Sequence, residues 1–111
     1  MEIRIDRQPN VLIVGVEGRL DAVTAPTFET AMADQIAAGA MLYVVDCGAL
    51  EYISSAGLRS LLTTAKSLRA QDGELVFAAL QDVVREVFEI AGFGTIFSIF
   101  DSTEAALEQR K

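Results

Sequence analysis

Histidine does not occur in this 111-residue chain, and cysteine occurs once. Without histidine, a Ser-His-Asp or Cys-His nucleophile system in its ordinary form is excluded. So is a His-based metal site, and one cysteine cannot form a thiolate cluster. The commonest general base is missing, which argues against a hydrolase. Cys47 cannot make an internal disulfide and reads as a small core residue. Basic residues are also scarce, nine Lys and Arg against sixteen Asp and Glu, for a net charge of −7. Nucleic acid demands a basic footprint, so it is not an expected partner. No apolar run reaches the ~20 residues of a membrane span. The N-terminus "MEIRIDRQPN" lacks the apolar stretch of a signal peptide. No direct membrane insertion and a cytoplasmic location are therefore expected.

Apolar residues, in contrast, make up 51% of the chain, and their spacing is informative. "EIRIDR" alternates Ile3 and Ile5 with charges, as in a half-exposed strand. "QPN" carries turn chemistry, and "VLIVGVEG" (11–18) predicts a second, more buried strand, antiparallel to the first. Thr24 to Pro26 offers a helix start. Phe28, Ala31, Met32, Gln35 and Ile36 then follow at helical spacing up to Gly39. "MLYVVD" (41–46) predicts an interior parallel strand. Leu58, Leu61, Leu62, Ala65 and Leu68 share one helix face. Asp72-Gly73 marks a turn, and "ELVFAAL" (74–80) another buried strand. Asp82 is the expected cap of a third helix with Val84, Val87, Phe88 and Ala91 inward, stopped at Gly92. "IFSIF" (96–100) suggests a short strand. Asp101 and Glu104 have capping-box spacing for a last helix.

This β-β-α-β-α-β-α-β-α order implies an α/β fold: a mixed, mostly parallel sheet with an antiparallel N-terminal strand and about four helices. One domain, 1–111, accounts for the chain. In such sheets the crevice beyond the carboxyl ends of the strands is the usual functional edge. "LEYISSAGLRSLL" (50–62) lies there, with Ser54 and Ser55 where a strand hands over to a helix. A serine at this place can be simply an N-cap. It can also carry a phosphoryl group or grip an anion at the helix N-terminus. "GRLDAV" should bring Asp21 alongside. Downstream, Arg59, Lys66 and Arg69 occur with no Asp or Glu between Tyr52 and Gln71. Such cations form either a solvated face or a surface for an acidic partner.

"GRLDAVTAPTFE", "VVDCGALEYISSAGLRSLL" and "GELVFAAL…VREVFEIAGFGTIFSIFDSTEAAL" together resemble STAS domains of the bacterial anti-sigma factor antagonist type. The likeness covers nearly the whole chain. Its most specific parts are the G-x-L-D turn and the D-x-x-x-L-x-Y-I-S-S-A-G-L segment. The resemblance implies a non-enzymatic regulator without cofactor or metal. Its unphosphorylated form would bind an anti-sigma factor that is also a serine kinase of the histidine-kinase-like ATPase type, freeing a sigma factor. A PPM-type phosphatase would reset it. Aligned on Gly57-Leu58, the family's acceptor serine falls on Ser55. Its preceding acid becomes Ser54, a second candidate acceptor, and its following Ser/Thr becomes Ala56. Asp21, Ser54, Gly57, Arg59 and Lys66 are the implied partner-binding residues. The alternative is a constitutive STAS interaction subunit of a signalling or membrane transport complex. Binding of a nucleotide or lipid by the serine loop stays open.

Overall fold

Strands β1 (Glu2–Gln8) and β2 (Val11–Leu20) form an antiparallel hairpin around Pro9 and Asn10. Asn10 adopts φ 63°, a conformation that asparagine tolerates better than most residues. Residues 1–39 and 42–109 are described by this computed structural model. Met41, the predicted start of the next strand, lies outside them. Beyond the hairpin come α1 (Ala25–Ala38), β3 (Leu42–Ile53), α2 (Ser55–Arg69) and β4 (Glu74–Ala78). These are followed by α3 (Asp82–Ile90), a 3-10 turn at Phe93–Thr95, β5 (Ile99–Phe100) and α4 (Thr103–Gln109).

The sheet order is β1-β2-β3-β4-β5, parallel throughout except for β1. Each crossover steps one strand in the same direction. Right-handed crossovers must then place α1, α2 and α3 on a single face. The side-chain alternation agrees. Leu12, Val14, Val16, Tyr43, Val45, Cys47, Leu75 and Phe77 point toward those helices, meeting Phe28, Met32, Leu61, Leu68, Val84 and Phe88. Leu42, Val44, Val76 and Ala78 point the other way and pack with Ala106 of α4 and, at their margin, Leu107. Phe77 stacks edge-on against Phe88 and Phe97, with centroids 5.0 and 5.1 Å away, while Phe93 closes the cluster. Four rings thus tie β4, α3 and the 3-10 turn together.

Several element ends differ from the sequence reading. β3 does not stop at Asp46 but runs on through Ile53, because it keeps its ladder with the equally extended β2 across two register shifts. Of "IFSIF" only Ile99 and Phe100 pair in the sheet. Gln81, not Asp82, is the N-cap of α3, and Asp82 opens the first turn, where a carboxylate suits the helix dipole. Gln81 lends its side chain to Gly48 instead, donating to that carbonyl at 2.8 Å. Ala91 is the exposed C-cap of α3 and not part of its inward face. At α4 the capping oxygen is Ser102 Oγ, which accepts from the Ala105 amide at 3.1 Å. The expected Asp101–Glu104 box is therefore replaced by a single serine cap one residue later, and Glu104 falls in the first turn.

Candidate functional site

β2 and β3 end together, Leu20 opposite Ile53. One residue then turns the chain into α2. Ser54 is still extended, at φ −101° and ψ 176°, and its amide donates to the Leu20 carbonyl at 3.0 Å. Its carbonyl already accepts from the Leu58 amide, and its Oγ accepts from the Gly57 amide at 3.2 Å. Ser54 is thus a complete N-cap with a committed hydroxyl.

Ser55 is the first residue of α2 and is exposed. The two serines differ in kind: one closes the helix, the other stands free on its rim. Gly57 is buried because α2 lies against the sheet edge at this turn. A Cβ there would come within 2.5 Å of the Leu20 carbonyl oxygen and 2.8 Å of Ile53 Cγ1.

The neighbouring β2–α1 turn is built around Asp21. Its Oδ1 accepts from the amides of Val23 (3.0 Å) and Thr24 (3.1 Å). Thr24 Oγ1 in turn accepts from the Asp21 amide and donates to the Arg19 carbonyl at 2.8 Å. The Thr24 amide holds the Asp21 carboxyl below its ordinary pKa, assisted by the Val23 amide and Arg19. Arg19 lies 3.6 Å from Asp21 Oδ2 and 4.0 Å over the Tyr52 ring, stitching the ends of β2 and β3 together. Asp21 therefore shapes the loop that flanks the serines.

The remaining predicted residues divide. Arg59 is exposed and opens the second turn of α2 rather than lying in its first. Past the first turn, a cation meets little of the unfavourable end of the helix dipole. Lys66 stands three turns beyond Ser55, about 16 Å along the axis. It belongs with Arg69 in the last turn, where cations suit the carboxyl end of a helix. Cys47 is fully buried, and burial beside the Asp46 carboxylate pushes its thiol pKa up, away from reactive thiolate.

One polar pair escaped the sequence reading. Ser60, 2% exposed, donates to Glu29 Oε2 at 2.6 Å, linking α2 to α1. Small Ser60 and Thr64, four residues apart and both buried, were the available signal of a close helix contact. Glu29, Ser60 and Arg59 line a cleft of about 300 Å3 between α1 and α2. Among the described residues, no group of acids and cysteine is arranged to hold a metal ion. No helix among them is long and apolar enough to cross a membrane.

The STAS domain family model matches residues 2–106. The chain is 44% identical over 106 residues to a candidate anti-sigma factor antagonist, BtrV, of Bordetella bronchiseptica, covering 96% of this chain and 91% of that one. It is 34% identical over 95 residues to the anti-sigma-B factor antagonist of Listeria monocytogenes, covering 85% and 82%. The crystal structure of an anti-sigma factor antagonist from Mycobacterium paratuberculosis superposes with a TM-score of 0.89 at 26% identity, covering 97% and 92%.

Proposed function

The chain belongs to the STAS domain family, and from that premise we propose that it is an anti-sigma factor antagonist switched off by phosphorylation of Ser55. The unmodified protein binds an anti-sigma factor in the cytoplasm and thereby releases a sigma factor. The partner is also a serine kinase of the histidine-kinase-like ATPase type. Ser55 Oγ attacks the γ-phosphorus of ATP, its proton passes to a base of the partner, and ADP leaves. A PPM-type phosphatase hydrolyses the ester and restores binding. The protein itself catalyses nothing.

The observation that carries this reading is the division of labour between the serines. Ser54 is occupied by the helix cap, whereas Ser55 is exposed on the first helical residue. A phosphate adds about −1.5 to −2 charges. At a helix N-terminus that charge is tolerated within the free domain. At a docked interface it must shed water and meet whatever the partner presents.

Calorimetry with the anti-sigma factor tests the reading. A loss of ~3 kcal/mol on phosphorylation would weaken the complex more than a hundredfold. Ser55→Ala should bind and resist switching. Ser55→Asp should bind less well while keeping a near-native circular dichroism spectrum. Equal affinity of phosphorylated and unmodified protein would sink the switch and favour a constitutive interaction subunit.

A further inference from the structure

We propose that Arg59 is an internal clamp for the phosphate on Ser55. The inference rests on the reading of Ser55 as the acceptor and adds what the protein does with the group once it is attached. α2 begins at Ser55, so Arg59 is its i+4 neighbour, and both are exposed. Residues four apart lie on one face of a helix. Side chains lean toward the helix N-terminus, so a long residue covers the turn before its own Cα. The guanidinium of Arg59 therefore sweeps over the place where a phosphoserine at 55 would project.

Arg59 is also available. Among the described residues it forms no ion pair and no side-chain hydrogen bond, unlike Arg4, Arg7 and Arg19. The nearby charged groups have contacts of their own. Glu29, which shares its cleft, accepts from Ser60. Asp21 is held by two backbone amides, and Arg19 lies between Asp21 and Tyr52. A phosphate offers three strong acceptor oxygens, and the planar guanidinium can take two of them at once. Modification thus does more than add an anion. It turns a solvent-facing cation inward and withdraws it from any acidic partner surface.

The test uses full-length protein carrying phosphoserine at 55, installed by genetic-code expansion so that no kinase is needed. Phosphorus NMR titration reads the second pKa of the ester, about 6 when free in water. A cation within ~4–6 Å favours the dianion. The wild-type value should therefore lie at least about half a unit below that of Arg59→Gln. Arg59→Lys, a single point charge, should fall between. The helix amides act equally in all three proteins, so the difference isolates the guanidinium. Circular dichroism confirms that each is folded. Equal pKa values in the wild type and Arg59→Gln would overturn the clamp. The two ideas fail separately: a pKa shift without loss of partner affinity keeps the clamp and sinks the switch, and the reverse keeps the switch and sinks the clamp.

Discussion

Gly57→Ala sets two effects against each other, and the geometry decides between them. Gly57 lies within α2, where alanine is ordinarily worth up to ~1 kcal/mol over glycine. Helix propensity alone therefore predicts a more stable protein. The added methyl, however, would stand 2.5 Å from the Leu20 carbonyl oxygen, 2.8 Å from Ile53 Cγ1 and 3.1 Å from the Leu20 carbonyl carbon. Two of these are backbone atoms at the end of a parallel ladder and cannot swing aside as a side-chain tip would. Relief requires α2 to lift from the sheet edge. That stretches the 3.0 Å bond from the Ser54 amide to the Leu20 carbonyl. Overpacking of this kind costs about 1–3 kcal/mol, and a weakened backbone hydrogen bond about 1 more. The net expectation is a loss of about 1–3 kcal/mol. Urea unfolding should show it as a midpoint lowered by roughly 1 M at unchanged slope. Gly94→Ala, at an exposed site with nothing within 4 Å, is the control. It should stay within about 0.5 kcal/mol of the parent. A Gly57→Ala protein more stable than the parent would refute the claim that glycine is required by the close approach.

Leu61 is 1% exposed beneath α2, so Leu61→Ala should lose about 2–5 kcal/mol. Arg69→Ala, on the exposed side of the same helix, should stay within about 0.5 kcal/mol in the same urea melts. Similar losses for both would mean the helix faces are misassigned. Asp21 has a folded pKa lowered from 3.8, first by the Thr24 amide, so its contribution to stability is complete above that ordinary value. It is lost as pH falls through the lower folded value. The stability gap between parent and Asp21→Asn should therefore be widest near neutral pH and close under strongly acid conditions. A pH-independent gap would contradict the turn's reliance on the charged carboxylate.

The order of elements was legible because each has its own hydrophobic period: alternation in "EIRIDR", a continuous run in "LYVV", leucines at 3–4 spacing in α2. The serine pair was legible for a related reason, since "SSAGL" stands where one period gives way to the next. What could not be read depends on partners distant in sequence. Little in "CGALEYI" before its last two residues says strand, with a glycine, an alanine and a charge. It is extended because β2 is extended beside it and lends it a ladder. Gln81 displaced Asp82 from the cap of α3 while its own amide reached Gly48, 33 residues earlier. The bond from Ser60 to Glu29 spans 31 residues and joins two helices whose facing sides the sequence does not name.

Between the last residue of β3 and the first of α2 there is only Ser54, bonded at its amide, its carbonyl and its side chain. Ser55 consequently has no slack. Many modified serines sit in pliant segments that an enzyme can draw out and thread as an extended strand. Here such threading would require unwinding the start of α2 and breaking its junction with the sheet. An enzyme acting on Ser55 in the folded protein must instead bring its catalytic groups to a fixed point on a finished surface. Recognition then falls on the shape assembled from β2, β3 and α2, rather than on the run of letters around the serine. An excised peptide of the same sequence would be a different substrate altogether.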